Sequence, residues 1–176
     1  KPRRFELRLS LMFAALYLSA GVHLPYFPLW LEDAGFGAAE IAFILSAPMF
    51  LRMATTPFIT ALADRAGDRV HVLAALVVAS LLLSLGYFLP PAYATVLVVS
   101  LLLAVVWTPQ GPVVDSLALS GVRRFGSGYP RMRVWGSASF LILGVLGGMI
   151  LSVTGAEAVP ILMSAGFFIT LAATVV

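Results

Sequence analysis

The sequence predicts an all-α polytopic membrane protein with six transmembrane helices, and three observations lead there. Of its 176 residues, 61% are hydrophobic and only 11% charged. Soluble domains run near 45–50% apolar and about 25% charged, so the chain lies well outside that class. Mean hydropathy is +1.02. The apolar residues also fall into stretches of bilayer-spanning length, since a helical span needs about 20 of them. This composition excludes a water-soluble enzyme, a disordered tail and a nucleic-acid module. The absence of cysteine removes disulfide frameworks, zinc ribbons and thiol catalysis together.

The spans follow in order. Leu9–Leu31 carries no charge, and Ile41–Ala63 carries one, Arg52. Between Val70 and Val122 the only acidic or basic residues are His71 and Asp115. Pro90-Pro91 divides that stretch into Val72–Leu89 and Ala94–Leu119. Val134–Ala156 and Ala158–Val176 are again uncharged. Lys1, Arg3, Arg4 and Arg8 ahead of the first span resemble a signal-peptide start. The following run exceeds an h-region of about 7–15 residues and lacks a small-residue cleavage site, so a retained helix is expected. The chain starts without methionine and stops inside the last apolar span, so both ends are expected to be trimmed.

Basic residues orient the bundle. Lys1, Arg3, Arg4 and Arg8 flank the first span, Arg65 and Arg69 lie between the second and third, and Arg123, Arg124, Arg131 and Arg133 between the fourth and fifth. Ten of the eleven basic residues therefore fall on one side, and the opposite connections carry only Glu32, Asp33, Glu40 and Glu157. Positive residues mark the cytoplasmic side, so both ends of the segment are expected in the cytoplasm of a cell (inner) membrane protein. The pI near 9.7 thus reports topology, and no nucleic-acid partner is expected.

Four groups are costly enough in lipid to need a reason. Arg52 lies mid-span, about 18 Å along the helix from Asp64 at 1.5 Å per residue. A mid-bilayer arginine costs about 2.5–3.5 kcal/mol on insertion scales, so it is expected to face a partner or a wet cavity, with Pro48, Thr55 and Thr56 on its face. An interhelical ion pair and a ligand contact are both open for it. Asp115 and Arg133 sit at the ends of adjacent antiparallel spans, where their charges can meet. Just before Asp115, Trp107-Thr108-Pro109-Gln110-Gly111-Pro112 breaks the helix ladder, which is tolerated at depth only against protein or a water-filled cavity. On the fifth span Arg133, Ser137 and Phe140 share a face. His23, Tyr26, Phe27 and Trp30 share one on the first span. An interfacial aromatic belt is expected to account for Trp30, while His23 lies deeper. The only two histidines, His23 and His71, are far apart in the topology, so no metal site and no cofactor are expected.

The fourth group is the turn Thr60-Ala61-Leu62-Ala63-Asp64-Arg65-Ala66-Gly67-Asp68-Arg69. Asp64 and the two arginines can pair across it, and Gly67 is expected to permit the tight turn. Its acid–base–glycine–base pattern resembles the signature loop of the major facilitator superfamily, with Thr60 in place of the usual glycine and Asp68 where arginine is frequent. Leu24–Asp33, the segment through Arg52, and Tyr129–Phe140 resemble the branch that holds the lactose and phenylpropionate permeases. The resemblance implies that residues 1–176 form the N-terminal half of a twelve-helix fold, with a missing C-terminal six-helix half as partner. It implies a transporter working by alternating access with a suspected coupling proton, not an enzyme, and a small-molecule substrate such as an aromatic or other small carboxylate, or else an oligosaccharide or nucleoside.

The residues implied to bind substrate are Arg52, Asp115, Arg133, Phe140 and His23, in one cavity. Those implied to form the gating loop are Asp64, Arg65, Gly67 and Arg69. Phe140 matches a tryptophan that stacks on sugar in the lactose permeases, and Arg52 an arginine of the phenylpropionate type. Two other classes make different demands on the residues. An intramembrane protease built on Ser127 fails because that serine lies in the arginine-rich loop and no histidine follows in the last spans. A scaffold or channel subunit would use Gly144, Gly147 and Gly148 for packing.

Overall fold

The computed structural model describes residues 3–175; Lys1, Pro2 and Val176, which the sequence places in the basic flank and the last span, lie outside them. Seven α-helices form six membrane-length spans. They are α1 (Arg3–Asp33), α2 (Ala38–Arg65), α3 (Arg69–Ser84), α4 (Tyr93–Trp107), α5 (Gln110–Phe125), α6 (Tyr129–Thr154) and α7 (Val159–Val175). A 3-10 turn, Leu85–Phe88, prolongs α3, and α4 and α5 together make the fourth span, Tyr93–Phe125. Most helices run past the apolar stretches. Only the middle of a span must be uncharged, so its outer turns can carry charged residues such as Arg4, Glu6 and Arg65.

Local chemistry sets the ends. After α1 the Phe36 N–H donates to the Leu31 carbonyl at 3.1 Å while Gly35 takes φ +90°, a left-handed helix stop. The Glu40 carboxylate returns to the Gly37 N–H at 2.9 Å and satisfies one orphan donor of α2. Asp68 caps α3, its Oδ1 accepting from the Val70 N–H at 2.8 Å and the His71 N–H at 3.4 Å. Gly126, at φ +66°, ends α5. Gly67 is a correction: its φ is not left-handed, and a Cβ there would meet nothing within 4 Å, so the turn does not need glycine.

Helix α1 is the centre of the bundle, packed against α6 and α7; α3 packs on α4 and α7, and α2 on α4. Without a hydrophobic force between helices in lipid, small residues that let backbones approach do the holding. A Cβ on Gly21 would lie 2.7 Å from the Phe140 carbonyl oxygen, and Gly166 gives way to Ser19 in the same manner. Gly147 and Gly148 make the slot that receives the Tyr26 ring, whose hydroxyl donates to the Gly144 carbonyl. Two buried layers result, one around Val22, Phe27, Leu31 and Phe167, the other around Phe13, Val77, Val114 and Met132. Outward faces of α2 (Phe50, Met53 and Phe58, each 73% exposed) and α6 (Leu141, Val145, Met149, Val153) are apolar.

Trp30 corrects the belt expectation. It is 7% exposed, stacked on Phe27 at 5.5 Å and edge-on to Tyr87 at 5.6 Å, so it fills the core rather than facing the membrane surface.

Candidate functional site

A cavity of about 540 Å³ opens between α1, α2 and α4. Helix α1 lines it with Tyr17, Ala20, His23, Leu24 and Phe27, α2 with Pro48, Met49 and Arg52, and the fourth span with Ser100, Trp107, Thr108 and Gly111. The break that the sequence shows at Thr108-Pro109 is therefore on the cavity wall, where irregular backbone is tolerated. Gln110 braces that break from behind. Fully buried, it lies within hydrogen-bond reach of the Ser80 hydroxyl at 2.8 Å and of the Leu76 and Val106 carbonyls at 3.2 Å each. Gly111 faces open space.

The lining combines one permanent charge, Arg52, with aromatic and aliphatic side chains and the hydroxyls of Ser100 and Thr108. Arg52 is exposed at the cavity and makes no hydrogen bond or ion pair among the described residues. The other expectation for it, an interhelical ion pair, has no partner in place: the salt bridges of the described residues are Asp64–Arg69 and Asp68–His71. His23 is held by rings, 4.5 Å from Phe27 and 5.1 Å edge-on to Trp107, and Trp107 in turn is edge-on to Phe167 at 5.1 Å. The His23 Nδ1 is buried without a hydrogen-bond partner. No aspartate or glutamate lines the cavity.

The structure separates the other sequence-chosen residues from this cavity. Asp115 and Arg133 do not pair, which corrects the expected contact. Asp115 accepts from the Tyr129 hydroxyl at 2.8 Å, and Arg133 donates to the Tyr17 hydroxyl at 2.6 Å while lying 4.4 Å above the Tyr17 ring. A ring and a hydroxyl satisfy the guanidinium in place of the carboxylate, although its Nη1 stays buried without a partner. Arg133 thus reaches the cavity only through Tyr17, which is on its wall. Phe140 lies on a different, shallower groove of about 440 Å³ with Gly21, Tyr26 and Gly144. The expected single cavity therefore gathers Arg52 and His23, and leaves Asp115, Arg133 and Phe140 outside its lining.

At the loop between α2 and α3, Asp64 Oδ1 meets Arg69 Nε at 3.2 Å and accepts from the Ser116 hydroxyl at 3.2 Å. Arg69 Nη1 donates to Ser120 Oγ at 3.2 Å. Loop and α5 are thereby tied together. Arg65 is exposed and takes no part in an ion pair among the described residues, contrary to its expected share in the pairing. Sequence reasoning missed Tyr17, Tyr129, Ser116 and Ser120. For Tyr17 a signal existed: Tyr17, Ala20, Leu24 and Phe27 recur at i, i+3, i+7 and i+10, with a hydroxyl deep in an apolar run.

Comparison with known proteins gives the family. Residues 6–176 match the MFS_1 like family. The chain is 31% identical over 131 residues to the maltose permease of Geobacillus stearothermophilus, covering 74% of this chain and 33% of that protein. It is 23% identical over 158 residues to the probable 3-phenylpropionic acid transporter of Escherichia coli (strain K12), covering 90% of this chain and 42% of the relative. The aligned chain thus spans a third to about two fifths of these relatives' lengths. With a match over nearly its whole length and six apolar spans around a central first helix, the protein belongs to the MFS_1 like family of the major facilitator superfamily.

Proposed function

We propose that the chain is the N-terminal half of a secondary transporter that moves a small carboxylate with an aromatic or apolar body, by alternating access and with a proton as coupling ion. Its second half closes over the Arg52 cavity, and both ends of the segment lie in the cytoplasm. The observation that carries the reading is an arginine facing a cavity with aromatic walls and no carboxylate in its lining. A guanidinium without a counter-charge in a poorly hydrated site suits an anion, because charge-assisted hydrogen bonds are about twice as strong as neutral ones. Trp107 and Phe27 offer apolar faces to the rest of such a molecule. The relative named for 3-phenylpropionic acid supports it.

The relative named for maltose supports a second reading, a neutral oligosaccharide. The favouring observation is the set of hydrogen-bonding groups Asp115–Tyr129 and Arg133–Tyr17, which meets the cavity at Tyr17. In that reading these groups turn to sugar hydroxyls.

Replacing Arg52 by glutamine in the full-length protein separates the two. Losing a hydrogen bond to a charged group costs about 1.5–3 kcal/mol, so 3-phenylpropionate binding is expected to weaken by roughly ten- to a hundredfold, with maltose binding unchanged. Equal 3-phenylpropionate binding by Arg52→Gln and wild type would show that the arginine is structural.

A further inference from the structure

Binding of an anion by Arg52 leaves one group on the cavity wall chemically unused. The titratable and charged side chains facing the cavity are Tyr17 and His23 from α1, Arg52 from α2 and Tyr87 from the turn after α3. The fourth span brings no titratable group, its polar and aromatic neighbours being Ser100, Trp107 and Thr108, and α7 brings Phe167 against Trp107. From α6, Arg133 arrives by way of Tyr17.

Both tyrosine hydroxyls are engaged, Tyr17 with Arg133 at 2.6 Å and Tyr87 with Ser100 at 2.9 Å. His23 is not. Its Nδ1 is buried and partnerless, and the residue is within the cavity lining with its ring packed against Phe27 and Trp107.

We propose that His23 is the proton-binding residue of this half, and that it takes its proton together with the substrate carboxylate. The proposal rests on the reading of the cavity as a carboxylate site. The carboxylate lies between the Arg52 guanidinium and the His23 imidazole. The free lone pair of His23 takes a proton from water, the ring becomes an imidazolium, and its new N–H donates to a carboxylate oxygen. On release the proton returns to water and the imidazole is neutral again; no other bond changes. A second positive charge beside Arg52 is unfavourable in the empty cavity, and a bound anion offsets it. Anion and proton therefore raise each other's affinity by the same factor, as linkage requires. A monoanion then crosses with one proton as a neutral pair.

The test uses the full-length protein in proteoliposomes with 3-phenylpropionate as probe, from about pH 5.5 to about pH 8.5, the range in which imidazole titrates. Wild type is expected to take up one proton per ligand, read from binding heats in buffers of different ionisation enthalpy. Its affinity should fall by up to about tenfold per pH unit at the alkaline end. His23→Gln is expected to bind the probe more weakly than wild type at acid pH, with an affinity that does not change with pH, to take up no proton, and to lose accumulation driven by a pH gradient. His23→Asn repeats that arm with a shorter side chain should glutamine disturb the Trp107 contact.

Arg52-dependent binding by wild type without proton uptake overturns this proposal and leaves the carboxylate reading standing. So does a His23 variant that keeps the wild-type pH dependence and proton uptake. Wild type that binds no 3-phenylpropionate, or binds it equally well as Arg52→Gln, overturns both.

Discussion

Arg133 shows how a half-buried cation is partly satisfied without a carboxylate. Its guanidinium donates to the Tyr17 hydroxyl and lies above the same ring, and room for that ring exists because residue 136 is glycine. A Cβ on Gly136 would lie 2.8 Å from Tyr17 Cδ2 and 3.1 Å from Arg133 Nη1. Overpacking of this kind costs about 1–3 kcal/mol, so Gly136→Ala is expected to lower the melting temperature of the purified protein and to weaken substrate binding through Tyr17. Gly67→Ala is the matched control. Its new methyl group meets nothing within 4 Å, and its stability should stay within about 0.5 kcal/mol of wild type. Hydropathy marked Arg52 and His23 as costly mid-span groups from sequence alone. It did not mark the Tyr17–Arg133 or Tyr129–Asp115 pairs, because a tyrosine is unremarkable in an apolar run until a partner from another helix reaches it.

The α2–α3 connection acts as a unit. Asp64 and Arg69 bridge its two ends, and Ser116 and Ser120 bind the pair to α5. If this tie holds one state of an alternating cycle, Asp64→Asn should slow transport about tenfold or more while equilibrium substrate binding stays close to wild type. Equal losses of binding and transport would make Asp64 a folding residue.

Asp68 adds a pH dependence. Its hydrogen bond from the His71 ring at 2.7 Å, followed by the Val70 and His71 backbone N–H groups, holds its carboxyl below the ordinary value of 3.8. A depressed folded-state value contributes stability that is present above the ordinary carboxylate range and lost as pH falls through the folded value. Wild type should therefore out-melt Asp68→Ala near neutral pH, with the gap shrinking below about pH 4. A gap that is constant down to about pH 3 would show that the carboxylate charge plays no part. The loop's acid–base pattern was legible in the sequence; that Asp68 is a helix cap, and that Arg65 is left out of the pairing, depended on where the α3 axis starts.

For the whole molecule, orientation is the testable quantity. Ten of the eleven basic residues fall in the flank and connections that the sequence assigns to one side, and residues 1–176 contain no cysteine to interfere with labelling. Single cysteines at Gly67 and Pro91, both exposed, should react with a membrane-impermeant thiol reagent from opposite sides, Gly67→Cys from the cytoplasm and Pro91→Cys from outside. Reaction of Pro91→Cys from the cytoplasmic side alone would reverse the topology.

The sequence by itself indicated six helices long and apolar enough to cross a bilayer, and where the fourth one breaks. Lipid offers no hydrogen-bond partners, so apolar length translates directly into helices, whereas proline alone does not interrupt them: Pro25, Pro28, Pro48 and Pro57 lie inside continuous helices. Only the tertiary structure decided which faces meet. On helices apolar all round, hydropathy carries no information about rotation, and the rotation here follows from close backbone approach at Gly21, Gly147, Gly148 and Gly166. That rotation turns Trp30 into the core, puts His23 and Arg52 on one cavity, and sends Arg133 to Tyr17 instead of Asp115.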